Sequence, residues 1–146
     1  MHYRKSLAAT SLLLSAAALT GCGAGPSSAS SESPTPLKTV PPNGEHYSSV
    51  EALKDAFVEV GGECSTYDEG NAVTLAAESA TCGEDTVLSI YSSSSDKDQV
   101  VANMKQFSDM IGMNILVGEN WIVNNNNVAT LQPELGGTLV TREAKK

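Results

Sequence analysis

The sequence predicts a small α+β domain: an antiparallel sheet of about four strands with helices packed on one face, in the order α-β-β-α-β-β-α. Three observations predict it. Two segments carry apolar residues at helical spacing, each behind a capping Ser and ahead of a Gly. Four short apolar runs fall into two pairs, each pair joined by turn residues. Helical segments separate those pairs, which suits hairpins in an antiparallel sheet.

The first helix is expected over residues 49–60. Ser48 serves as N-cap and Glu51, three residues on, completes a capping box. Val50, Leu53, Phe57 and Val60 follow at helical spacing, and Gly61-Gly62 ends the run. Asp68-Glu69-Gly70-Asn71 reads as a polar turn. Val73, Leu75 and Ala77 alternate with Thr74, Ala76 and Glu78, a strand with one buried face. Cys82-Gly83-Glu84-Asp85 reads as a turn, and residues 86–91 alternate again, with Leu88 and Ile90 opposite Val87, Ser89 and Tyr91.

Ser95 with Asp98 opens a second helix over 96–111, whose inner face is Val100, Met104, Phe107 and Ile111; Gly112 ends it. Residues 114–117 and 121–123 form short strands around Gly118-Glu119-Asn120, a tight turn in which Gly118 is free to take a positive φ. Trp121 is expected in the core. The Asn run at 124–127 reads as a polar turn with an Asn N-cap in preference to a sugar-binding cluster. Val128, Leu131 and Leu135 mark a last short helix ending at Gly136-Gly137, despite Pro133. Residues 138–141 read as a final strand or a tail.

The domain organisation follows from composition. Residues 1–21 form a leader: Arg4 and Lys5 make a positive start, and residues 7–19 are an uncharged apolar run. At about 13 residues that run is too short to cross a bilayer, which takes about 20, and has the length of a signal-peptide core. Residues 22–45 follow as a tether rich in Ser and Pro, with five of the six prolines. Such a segment buries too little apolar surface to fold. It spans about 25 Å as a flexible coil and about 70 Å as an extended polyproline chain. Residues 46–142 form the single domain and 143–146 a tail.

Leu19-Thr20-Gly21-Cys22 resembles a bacterial lipobox. The resemblance implies thioether lipidation of Cys22, cleavage between Gly21 and Cys22, and attachment to the outer face of the cell membrane. Two or three acyl chains anchor a protein stably where one does not. With Cys22 lipidated, Cys64 and Cys82 remain as a pair, expected to be oxidised outside the cytoplasm. Their disulfide closes a loop of about 18 residues, worth on the order of 3 kcal/mol. The pattern of residues 48–137 also resembles small exported actinobacterial domains of unknown function, through Cys64, Cys82, Gly118-Glu119-Asn120-Trp121 and residues 131–137. That resemblance implies a fold and a lipoprotein context, and no activity.

The full chain has 9 basic and 17 acidic residues and a net charge of −8. Loss of Arg4 and Lys5 with the leader moves it to −10. This is the wrong sign for nucleic acid. Catalytic chemistry has few candidates. His46 stands at the domain's start with neither nucleophile nor orienting partner, and no phosphate loop, dinucleotide fingerprint or nucleophile elbow occurs. One domain His and a paired Cys couple make no zinc site. Asp68-Glu69, Glu84-Asp85, Asp96 and Asp98 lack the EF-hand spacing, so neither metal nor cofactor is expected. Asp68, Glu69, Glu84 and Asp85 flank the two cysteines and are nominated as an acidic interaction surface, beside the exposed face of the sheet.

The expected function is a non-enzymatic, membrane-anchored lipoprotein whose domain binds an envelope protein or wall component. The alternative is a small inhibitor or phage-exclusion and immunity-type lipoprotein of the same architecture. A wall-acting hydrolase ranks below both. It needs two positioned carboxylates, and Glu78, Glu84 and Asp85 are the only sheet-associated acids.

Overall fold

The computed structural model describes residues 39–144. Its elements run α1 (Val50–Glu59), β1 (Tyr67–Gly70), β2 (Glu78–Cys82), β3 (Thr86–Ile90), α2 (Ser94–Ile111), β4 (Met113–Val117), β5 (Trp121–Asn124), α3 (Val128–Leu135) and β6 (Thr138–Arg142). The strands make one sheet in the order β1-β2-β3-β5-β4-β6, antiparallel at every pairing. On one face, Leu53 and Phe57 of α1 and Leu131 and Leu135 of α3 close over Leu88 and Trp121. On the other, α2 lays Val100 near Tyr91, Ile115 and Ile122.

This overturns the expected four-stranded arrangement with helices on one face. The described residues hold six strands, in the order α-β-β-β-α-β-β-α-β, and helices lie on both faces. Three physical causes account for the difference. First, neighbouring residues of a strand point to opposite faces. Ile115 and Ile122 face α2 while Leu116 and Val123 face α1 and α3, so the central strands bury both sides. Second, β1 has no apolar alternation to announce it. Its Tyr-Asp-Glu-Gly sequence is a strand because its backbone pairs with β2, Asp68 opposite Thr81 and Glu69 opposite Ala80. Third, the alternation at Val73, Leu75 and Ala77 belongs to a loop, and the strand begins at Glu78. Ser79 closes that loop: its hydroxyl accepts from the Val73 N–H at 3.2 Å and donates to the Gly70 carbonyl at 2.7 Å. Of the two readings of residues 138–141, the strand is realised, paired along β4.

The helix starts are displaced by one or two positions for a local reason. Ser49, in an extended conformation, accepts from the Ala52 N–H, and Ser93 does the same for Asp96. A cap must stand outside the helix with its oxygen within reach of the free N–H groups, so adjacent serines compete for the role. The Glu78 carboxylate adds a tertiary cap to α1, accepting from the Val50 N–H at 2.8 Å. α3 accommodates Pro133 in its interior.

Trp121 is fully buried and organises its surroundings. Its indole N–H donates to the Glu45 carbonyl at 2.8 Å. Asn120 brackets Tyr47, accepting from its N–H and donating to its carbonyl. The Gly137 N–H donates to the Pro42 carbonyl at 3.0 Å. Residues 41–45, read from sequence as the end of the tether, therefore pack against the domain. Gly118 keeps a negative φ, so conformational freedom is not why glycine stands there. A Cβ at Gly118 would lie 1.9 Å from the Trp121 ring, so the indole occupies the space of the missing side chain.

Gly118→Ala is expected to destabilise the domain by about 3 kcal/mol through overpacking, a fall in Tm on the order of 10 °C. Gly70→Ala, with open space around the new Cβ, should leave Tm within about 2 °C in the same calorimetric scan.

Candidate functional site

The sequence marks Val100, Met104, Phe107 and Ile111 as the inner face of α2. That face is packed unevenly, and in the C-terminal half of the helix the fully buried residue is Ser108. Val100 is buried, Met104 is half-buried, and Phe107 and Ile111 are 53% and 79% exposed. The helix is also held at both ends. Near its start the Lys97 ammonium, 9% exposed, donates to the carbonyls of Gly118 and Glu119. Near its end Asp109 pairs with Arg142 of β6 at 3.1 Å. Between these two attachments Val100, Met104 and the fully buried Ser108 seat the helix against the domain, and Phe107 and Ile111 overhang on one flank.

A cleft of about 570 Å³ lies along that flank. Met104, Phe107 and Ile111 form one wall, Met113 and Asn124 its floor, and Val73 of the β1–β2 loop the other wall. A smaller hollow of about 200 Å³ continues beneath Met104 toward Val87, Ile122 and the hydroxyls of Ser89 and Tyr91, which lie 3.0 Å apart. Burial pushes the Tyr91 phenol above its usual range, partly offset by the Ser89 hydrogen bond.

The lining has a distinctive chemistry. Although the chain is strongly acidic, neither hollow is lined by any Asp, Glu, Lys or Arg. Four asparagines supply the polarity of the larger one: Asn103, Asn114, Asn124 and Asn126. Among the described residues none of these four carboxamides makes a hydrogen bond. Asn120 and Asn125, outside the cleft, both do; Asn125 donates to the Thr86 hydroxyl at 2.7 Å. The cleft therefore offers apolar walls and uncommitted groups that both donate and accept. Its size and mixture are those of small-ligand sites.

The residues nominated from sequence fall elsewhere. Cys64 and Cys82 are joined in a disulfide across 18 residues. Glu84 and Asp85, in the β2–β3 turn, share with Glu63 the rim of a hollow of about 350 Å³ beside Cys82. Asp68 and Glu69 lie on the edge strand β1, outside that hollow, so the four acids are split between two places. Glu78 is engaged as the cap of α1, and exposed His46 stands 3.6 Å from Glu119. Among the described residues no three His, Cys, Asp or Glu side chains group to hold a metal. The sheet face nominated for binding is partly covered by α2, and the floor of the cleft is its open part. Cys22 and the tether up to residue 38 lie outside the described residues.

Sequence reasoning set Asn124 and Asn126 aside as turn residues and missed Asn103, Asn114 and the exposed flank of α2. One signal was present. Met110 beside Ile111 widens the apolar arc of the helix beyond what one sheet contact covers, and Met110 is 68% exposed. Comparison with protein-family profiles, curated proteins and solved structures returns no match.

Two solution properties follow. Reducing Cys64–Cys82, or replacing both with Ser, should lower Tm by roughly 10 °C, given about 3 kcal/mol from closing this loop. The Tyr67 phenol is pushed from 10.0 up to about 12, first by burial and then by the Glu69 carboxylate. Between those pH values the folded state keeps a proton that the unfolded chain releases, so stability falls as pH rises through that window. Tyr67→Phe should make the fall in denaturant midpoint between pH 10 and 12 shallower; an unchanged slope would remove Tyr67 as a contributor.

Proposed function

We propose that the chain is a lipoprotein anchored through Cys22 at the extracytoplasmic face of the cell membrane, whose domain binds an envelope component and catalyses no reaction. The observation that carries the binding reading is the cleft beside α2. It combines apolar walls with four unbonded carboxamides, and general acid–base chemistry has little to use there. A catalytic group works best with a pKa near the operating pH. The one titratable side chain in the two hollows is Tyr91, and burial moves it further away.

The anchoring reading rests on the sequence. The apolar run at residues 7–19, the Leu19-Thr20-Gly21-Cys22 tetrad and the Ser/Pro-rich segment after it fit export, lipidation and a spacer. The disulfide within the domain suits an oxidising compartment. The acidic charge keeps nucleic acid out of consideration as a partner.

Cys22→Ala should move the protein from the membrane fraction to the soluble one when lysates of the producing cells are sedimented. Continued sedimentation with membranes would end the lipid-anchor reading. Crosslinking of the tagged wild-type protein in living cells should then recover an envelope component.

A further inference from the structure

The cleft beside α2 carries apolar walls and carboxamides along its whole length. Asn114 and Asn126 lie beside the Gly112 end of α2, with Asn103 on the helix and Asn124 on the floor. The continuation under Met104 is bounded mainly by Val73, Val87 and Ile122, and its two hydroxyls, on Ser89 and Tyr91, already bond each other. A ligand reaching inward meets hydrocarbon from Val73, Val87 and Ile122, with the Asn124 carboxamide on the wall shared by the two hollows.

Charge narrows the occupant. The lining is neutral while the chain carries −8. An anionic ligand would find no cation in the lining, since Arg142 at the adjoining rim is paired with Asp109, and would enter against the surrounding negative field. A cation would leave bulk water for a site with no carboxylate. A neutral molecule meets neither obstacle. Carboxamides match hydroxyl and ester groups, since each offers two donors and an acceptor.

We infer that this cleft binds an uncharged amphiphile of the acylglycerol class, its aliphatic chain lying along α2 against Met104, Phe107 and Val73 and its hydroxyl-bearing head held by the four asparagines. This inference rests on the binding reading above and names the ligand class of that site. Methionine suits the wall, because its flexible thioether adapts to chains of different length and bend. The helix is seated by Lys97, Val100, Ser108 and Asp109, and the exposed Phe107 and Ile111 on its flank can settle onto a chain without disturbing that seat.

The test uses the full mature chain carrying Cys22→Ser, exported so that the disulfide forms. Monoacylglycerols of eight, ten and twelve carbons are titrated below their micelle concentrations, alongside the fatty acids of the same lengths. Binding is read by calorimetry and by the side-chain NH₂ resonances of the asparagines. The monoacylglycerols should bind, tightening roughly tenfold for each added pair of methylenes. The NH₂ signals of Asn103, Asn114, Asn124 and Asn126 should move while those of Asn120 and Asn125 stay. The ionised fatty acids should bind at least tenfold more weakly.

Phe107→Glu, at an exposed position whose change spares the core, should weaken the monoacylglycerol at least tenfold with Tm unchanged. Asn124→Asp, nearly isosteric, should do likewise. The inference is overturned if no monoacylglycerol binds, if fatty acids bind as tightly, or if binding is indifferent to Phe107→Glu. Failure here, with a crosslinked partner still recovered from cells, would remove the ligand class and leave the binding function standing. Membrane retention of Cys22→Ala would remove the anchor whatever the cleft binds.

Discussion

The packing of Trp121 under glycine is the constraint on which one whole side of this domain depends. The indole lies over Gly118, against Gly44 and next to Gly137, and a Cβ at any of the three would meet its ring at or inside contact distance. Its single N–H reaches the Glu45 carbonyl, so a bulky apolar ring is buried with its polar atom satisfied. That one bond ties residues preceding α1 to the start of β5. Around it α1 and α3 converge, and Leu53, Phe57, Leu131 and Leu135 complete the layer.

The two faces of the sheet are packed to different standards, and the difference has a functional sense. The Trp121 face is filled by two helices. The opposite face has one helix, seated along the line of Lys97, Val100 and Ser108 with its Phe107 and Ile111 flank exposed. Close-packed interiors leave no room for a guest, whereas a single helix whose flank overhangs the sheet leaves a hollow of ligand size. Stability can reside in one face and recognition in the other. Lys97 links the two, because its carbonyl acceptors belong to the same β4–β5 turn that seats Trp121.

Charge is distributed to match. The acids nominated from sequence occupy the β1 edge and the β2–β3 turn, Glu78 caps α1, and the cleft is lined without any acid. Charged residues on an edge strand discourage pairing with another sheet. Asp68 and Glu69 on β1 fit that role, which gives these acids a purpose that requires no ligand.

Much of the local structure was legible in the residues themselves. Helical spacing at Val50, Leu53 and Phe57, serine caps, the Gly83 turn and the Gly118–Trp121 hairpin are local features, and each was realised within one or two positions. The odd cysteine count, with a lipobox cysteine set aside, singled out Cys64 and Cys82, and they are bonded. What the sequence alone could not supply were relations between distant segments. β1 is a strand only through its partner β2, because its four residues carry no apolar pattern. The register of β2 is set by Ser79 closing the loop behind it. The adjacent pairs Ile115-Leu116 and Ile122-Val123 hinted at two buried faces, but which helix covers which face was decided by the order of strands in the sheet. The exposed flank of α2 was decided the same way. An apolar stripe on a helix states that the face prefers to leave water; which part of it a protein core covers depends on the line along which tertiary contacts seat the helix, here Lys97, Val100 and Ser108.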